Sequence, residues 1–284
     1  MRRPLLIVLL AVGLSACPGS AMDAAATRVA TGLQDGILNH DDVGVVRDAL
    51  PGYLLTMDGL VEASPDNPQI ALAAAQIYSF YASNFVTEPE RKKRLAERGL
   101  RYARAALCME LDDLCETLKT PFAEFSDEVE EIEDDEQVPL LYGFTVAWAT
   151  WVQANVDDWN AIADVPKIEA LLNKIVALKP RHDRGTPYIY LGVLSSQLPP
   201  AMGGKPERAK AYFERALTIS GERNLMAQVY YAKQYARMAF DRKLHDQLLE
   251  EVLEADPRER GLTLSNTLAQ QEARELLAGS KDFF

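Results

Sequence analysis

Three observations make the chain all-α. Apolar residues recur three and four apart through most of its 284 residues, and no stretch alternates apolar and polar as a half-buried strand would. Prolines and Asn/Asp/Gly clusters cut this pattern into segments of helix length. The segments also fall into successive pairs, the mark of a helical-repeat solenoid.

In chain order, the first predicted helix covers about 43–63 and stops at Ser64-Pro65-Asp66-Asn67-Pro68. The next, about 69–86, carries Ile77, Tyr78, Tyr81 and Phe85 at helical spacing, and a third runs from about 89 to 108. A polar region follows. Its run 127–136 holds eight carboxylates in ten residues but lacks the glycine and spaced ligands of an EF-hand loop, so it reads as a solvated helix face or mobile loop. After Pro139 comes an aromatic helix with Tyr142, Phe144, Trp148 and Trp151. Pro166 opens another that ends near Pro180, and 188–198 forms a further helix closed by Pro199-Pro200. Pro206 starts the next. Segments 225–240 and 244–255 make a pair, and a last helix covers about 262–277.

Ala209, Phe213 and Ala216 fit the tetratricopeptide register, in which small residues let paired helices approach. Leu191-Gly192 supplies the first-helix element, although the intervening turn is too long. Ile168, Leu172 and Ile175 before Pro180 match weakly, as do Leu249 and Val252 before Pro257. The fold class is therefore all-α, a tetratricopeptide-like helical-repeat solenoid with degenerate repeats.

The N-terminus reads as an address. Arg2 and Arg3 precede an apolar run at 4–14, too short for the ~20 residues of a membrane span. It ends in Leu14-Ser15-Ala16-Cys17, which resembles a bacterial lipobox. Expected organisation is a signal peptide at 1–16, lipidated Cys17 with a short Ala/Gly/Ser-rich tether over 17–27, and one helical-repeat domain over 28–284. Pro18 in place of an Asp after the cysteine favours the outer over the inner membrane, with the protein facing the periplasm and touching the bilayer through its lipid alone. Cys108 and Cys115, an even pair in an oxidising compartment, form a disulfide candidate, with two free thiols the alternative. Residues seven apart on one helix lie about 10 Å apart, beyond the ~7 Å limit for a bridge, so pairing needs a turn between them.

The composition excludes several functions. A net charge of −12 offers no basic surface for nucleic acid. His40, His182 and His245 have no metal-ligand spacing, so no metal or cofactor is expected. GxSxG, HExxH and CxxC are absent, and Gly203-Gly204-Lys205 followed by Pro206 reads as a helix-helix turn, not a phosphate loop. The chain is not expected to be an enzyme. Tyr78, Tyr81, Phe85, Tyr142, Trp148, Trp151, Tyr188 and Tyr190 are core residues by default. They are also candidate walls of a helix-lined cavity, suited to an amphipathic organic molecule.

Several longer motifs carry a family resemblance: ALPGYLLTMDGL at 49–60, Ser64-Pro65-Asp66-Asn67, and Tyr-Ser-Phe-Tyr-Ala-Ser-Asn-Phe-Val at 78–86. Val138-Pro139-Leu140-Leu141-Tyr142 before Trp148 and Trp151, Leu191-Gly192, and Leu198-Pro199 with Gly203-Gly204 add to it. So do the segment 209–217, Asn266-Thr267-Leu268-Ala269-Gln270 and Asp282-Phe283-Phe284. Together they resemble the T-component (TatT) family of TRAP transporters. Gly143 departs from the pattern, since an aromatic residue is expected there. The resemblance implies a lipoprotein that associates with a TRAP periplasmic solute-binding protein and assembles as a homotrimer. It also implies a cavity or hole that binds or passes a small organic ligand of unknown identity. The competing reading is a tetratricopeptide-type adaptor in envelope protein assembly that binds no small molecule.

Overall fold

Local chemistry sets where the helices start. In the computed structural model, which describes residues 18–197 and 204–284, six helices carry proline in their first turn, where its missing N–H costs nothing. They are α3 (Pro68–Phe85), α4 (Pro89–Glu110), α7 (Val138–Ala154), α9 (Val165–Leu178), α10 (Thr186–Ser195) and α11 (Pro206–Ser220). Asx caps also start helices. Asp42 Oδ1 accepts from the Val45 N–H at the head of α2 (Val43–Ala63), and Asn67 does the same for Ile70 at the head of α3. The remaining helices are α1 (Pro18–Leu38), α5 (Asp112–Thr117), α6 (Phe122–Glu131), α8 (Trp159–Ala163), α12 (Leu225–Tyr230), α13 (Arg242–Glu254), α14 (Thr263–Ala278) and α15 (Ser280–Phe283). The fold is all-α, with no strand among the described residues.

Three differences from the sequence expectation stand out. Residues 18–27, read as a tether, belong to α1. The acidic run divides. Its first half lies on α6, whose Phe125 and Val129 are sealed in the core, and its second half forms a short 3-10 turn in which Asp134 caps Glu136. The long helix expected over 225–240 changes winding, with α12 passing into a π-helical turn at Tyr231–Ala236. The signal peptide, Cys17, Leu198-Pro199 and Gly203 lie outside the described residues.

Helix pairs meet where side chains are small. A Cβ on Gly99 of α4 would stand 3.0 Å from Ser79 Oγ and 3.3 Å from the Ala75 carbonyl of α3. On Gly192 of α10 it would press 2.8 Å from the Phe213 ring of α11, and Ala209, Phe213 and Ala216 are all buried. Gly143 is explained in the same way. Its Cβ would meet Leu72 Cδ1 of α3 at 2.6 Å, so close α7–α3 packing leaves no room there for the expected aromatic.

Leu111 interrupts the helix between α4 and α5, and the resulting turn brings the Cα atoms of Cys108 and Cys115 to 5.1 Å, where the two are joined in a disulfide.

The array closes on itself. Contacts run from α3 to α7, α9, α10, α12 and α14, and α14 packs back on α1 and α2, which pack on α3. Leu264 of α14 is buried in the apolar cluster formed by Val46, Leu50 and Met57 of α2 with Ile70 and Tyr78 of α3. Beside it the Gly261 N–H donates to Asn39 Oδ1 at 2.7 Å. Among the described residues no helix is long and apolar enough to cross a membrane.

Candidate functional site

The eight candidate aromatics separate into distinct places. Tyr78 and Tyr81 are buried and Phe85 partly so, in the α2/α3 cluster. The Tyr78 hydroxyl donates to Asp58 at 2.9 Å, as do Tyr102 Oη at 2.7 Å and Arg98 Nη1 at 2.7 Å, so one carboxylate of α2 ties down α3 and α4. Burial, with Asp58 adding to it, pushes the Tyr102 hydroxyl up to about 12. Tyr81 accepts from Arg91 Nη2 at 3.2 Å. An open pocket of about 400 Å³ runs along α4 beside this cluster, lined by Arg94, Leu95, Glu97, Arg98 and Arg101, and none of the candidate aromatics touches it.

Trp148 is a core residue. It is 3 % exposed, sits between Phe125 and Phe144, and donates Nε1–H to Asp164 at 3.0 Å. Trp151 packs partly buried against the same core, and Tyr188 pairs with Tyr212 across the α10–α11 seam at 6.1 Å.

Of the eight, Tyr142 and Tyr190 come together in a different setting. Their rings stand edge to face with centroids 6.4 Å apart, and the edge of His182 packs on Tyr142 at 4.9 Å. The Tyr142 hydroxyl donates to Asp183 Oδ2 at 3.0 Å. Tyr230 lies close enough to Tyr190 for the two hydroxyls to interact electrostatically. Lys233 Nζ sits 5.9 Å from the Tyr230 ring centre and 2.6 Å from Glu272 Oε1. The members come from α7, the α9–α10 turn, α10, α12, the π-helical turn and α14, consecutive stations of the closed circuit.

The backbone is unusual at both ends of this set. Asp183, Arg184 and Gly185 are left-handed in succession, at φ 43°, 54° and 83°. Only glycine adopts that region without strain, and each other residue costs on the order of 1–3 kcal/mol. The turn is pinned by Arg184 Nη1 on Glu259 at 2.9 Å and by the Thr186 hydroxyl on the Asp183 carbonyl at 2.7 Å. The second irregularity is the π-helical turn that carries Lys233, a winding concentrated at functional sites.

Asp183 is exposed, and Tyr142, Tyr190 and Tyr230 are half-buried. Yet loss of hydration pushes the Asp183 carboxyl up against the opposing pull of its Tyr142 hydrogen bond. It also raises Tyr142 well above its ordinary value, raises Tyr190, and takes Tyr230 to about 12. His182 is held down by burial, with Asp183 opposing. Among the described residues no group of three or more His, Cys, Asp or Glu is placed to hold a metal ion.

A sequence profile of the TRAP transporter T-component family matches residues 39–284. The chain belongs to that family. An uncharacterized protein of Treponema pallidum (strain Nichols) is 26 % identical over 297 residues, covering 92 % of this chain and 84 % of the relative. The T-component is thus an accessory to a TRAP transport system. Its C-terminal motif acts as a set of clamps. Asn266 accepts from the Leu225 N–H at 3.0 Å and donates to the Arg223 and Pro257 carbonyls at 2.9 and 3.2 Å, while Gln270 donates to the Val252 and Ala255 carbonyls at 3.0 and 2.9 Å. Sequence reasoning missed Asp58, Asp183, Tyr230, Lys233 and Glu272. The signal for Asp183 was Asp-Arg-Gly before Thr-Pro, a tight turn delivering a carboxylate to a helix start.

Proposed function

We propose that this T-component is a periplasm-facing lipoprotein, held through a lipid on Cys17 at the outer membrane. It docks a TRAP-type solute-binding protein and offers a small organic molecule a lumen walled by Tyr142, Asp183, Tyr190 and Tyr230. One observation carries the ligand part. The closed helix circuit brings side chains of six elements, among them Tyr142, Asp183, Tyr190 and Tyr230, to one place beside the left-handed turn at Asp183, Arg184 and Gly185. Polar tips on aromatic walls suit amphipathic ligands. No reaction is assigned to the site. The homotrimer implied by the family resemblance belongs to the same proposal.

The test is co-purification of the whole protein with a TRAP-type solute-binding protein of the same organism. A complex retained on gel filtration is expected, and its absence overturns the docking role. Replacing Cys17 by Ser should release the protein from membranes, and a variant still membrane-bound with the wild-type mass shift overturns the lipid anchor.

The adaptor reading has an observation of its own. Trp159 is 86 % exposed beside exposed Val156, while Tyr78 and Trp148 lie in solid core. Exposed tryptophan of this kind is typical of protein contacts. Pull-down of several envelope proteins with no small-molecule binding would favour it.

A further inference from the structure

We propose that the arginine face of α4, with the exposed Trp159 turn beside it, is the surface that receives the solute-binding protein, and that the partner presents there an acidic rim around an apolar pocket. The inference rests on the docking role proposed above and names its surface and the chemistry of the complement. The distribution of charge points to it. The chain carries a net −12, yet seven of its 30 Lys and Arg lie on the 22 residues of α4, against three Glu. Arg94, Arg98 and Arg101 stand four and three residues apart on one helix face, with Arg91 three residues before them. Few carboxylates of the chain answer them. Asp58 takes Arg98 at 2.7 Å, and Arg91 reaches Glu88 only at 3.8 Å. Arg94 and Arg101 are exposed and make no ion pair among the described residues. The open pocket along α4 lies between them, so a side chain entering it meets three guanidinium groups and one carboxylate, Glu97.

Trp159 gives the face an apolar anchor. It is flanked in sequence by exposed Val156 and Ile162. Asp158 caps the short helix α8 by accepting from the Asn160 N–H at 2.9 Å, so the tryptophan is displayed on an ordered turn. Lys93 Nζ, 3.0 Å from Asp157, fastens that turn to the first half of α4 and makes anchor and arginines one continuous surface. Trp and Arg are the residues that most often carry the energy of protein contacts. An anionic membrane is the other acidic surface such a face could meet, but its position is wrong for that. α1 runs along α3 in the same direction, with Thr27 at Asn67 and Gln34 at Gln76, so the end next to Cys17 projects past the start of α3. Arg98 and Arg91 lie beside Tyr78 and Tyr81, toward the other end of α3 and roughly 30 Å farther along at about 1.5 Å per residue.

The experiment measures the rates at which a TRAP-type solute-binding protein of the same organism binds the whole protein in non-ionic detergent, by biolayer interferometry at low and high salt. Association with the wild type should slow by about ten-fold between roughly 0.03 M and 0.3 M salt, as screening removes the steering field. Arg94→Glu with Arg101→Glu should slow association by about ten-fold at low salt and remove most of that salt dependence. Trp159→Ala should raise Kd at least about ten-fold, mainly through faster dissociation. Lys243→Glu with Arg274→Glu makes the same change of charge at exposed positions of α13 and α14 and should leave both rates within about two-fold. All variants should keep the wild-type melting transition, since each altered side chain is exposed. If the wild type forms no complex, the docking role and this surface fall together. If the complex forms and the α4 and Trp159 variants bind as the wild type does, the surface falls and the docking role stands. If those variants keep the solute-binding protein but lose binding to phosphatidylglycerol vesicles, the face is a membrane contact and the proposal is overturned.

Discussion

Replacing Asn266 by Ala should cost this fold about 3 kcal/mol. The side chain is fully buried. Its Oδ1 satisfies the N–H of Leu225, the first residue of α12, which has no partner within its own helix. Its Nδ2 satisfies the carbonyls of Arg223 and Pro257, in the segments before α12 and before α14. Alanine strands all three backbone groups. Each buried hydrogen bond contributes about 1 kcal/mol net, with a range of roughly 0.5–1.5. The sum is therefore roughly 1.5–4.5 kcal/mol, less if water enters the vacated space. For a chain of this size, 3 kcal/mol lowers Tm by about 6–12 °C. Circular dichroism at 222 nm during heating, with urea titration alongside, measures both quantities. Asn84→Ala is the control, because its one bond to the Phe80 carbonyl at 2.9 Å is exposed and its loss should stay within about 0.5 kcal/mol. Asn266→Asp should fare no better than Ala, since it aims a carboxylate at two carbonyls. If Asn266→Ala melts within the error of Asn84→Ala, the C-terminal family motif is not a backbone clamp and the reasoning fails.

Asp183→Asn should raise Tm at pH 7. Loss of hydration at the partly covered carboxyl lifts the folded Asp183 pKa above its unfolded value of about 3.9, so the carboxylate costs stability above the folded pKa. That cost disappears as pH falls toward the unfolded value. Tyr142, His182, Arg184 and Thr186 face the carboxylate, and the Tm difference between variant and wild type should shrink from pH 7 to pH 4; a constant or growing difference contradicts this. Gly192→Val should destabilise by roughly 1–3 kcal/mol through overpacking, because Phe213 is buried and stacked on Tyr231 at 5.4 Å and cannot yield. A neutral urea midpoint would refute the close helix approach. Reducing Cys108–Cys115 should cost about 2.4 kcal/mol, the chain-entropy value for a loop closed at a separation of seven, read as a shift in the urea midpoint.

Helix positions were legible because their causes are local. Asp42, Asn67 and the prolines at 68, 89, 139, 166 and 206 act within one turn of themselves, and the helices begin where those residues say. The register of Ala209, Phe213 and Ala216 was legible for a similar reason, since small and aromatic residues at fixed spacing decide how near the next helix comes. The site was legible only in part. Tyr142 and Tyr190 were singled out as aromatics, but so was Trp148, and nothing in periodicity separates a half-buried ring beside Asp183 from one packed between Phe125 and Phe144. Asp183, Tyr230 and Glu272 come from segments joined only by the curvature of the whole array, which one sequence does not express. Gly143 departs from the family pattern, and the reason, its contact with Leu72 of another helix, is not local.

The return of α14 onto α1 and α2 changes how such an array gains its stability. In an open stack each repeat answers to its neighbours, so the ends fray and the middle melts independently. Here the bond from Gly261 to Asn39 joins residues 222 apart in sequence, and Leu264 seals a cluster whose other buried members come from the first third of the chain. Contacts of that span slow the last step of folding, because the intervening chain must first be ordered. They also make the two ends interdependent. The first helices of the chain remain without their final neighbour until nearly the last residue has been made, and a chain cut short before α14 leaves its N-terminal apolar face open to other chains.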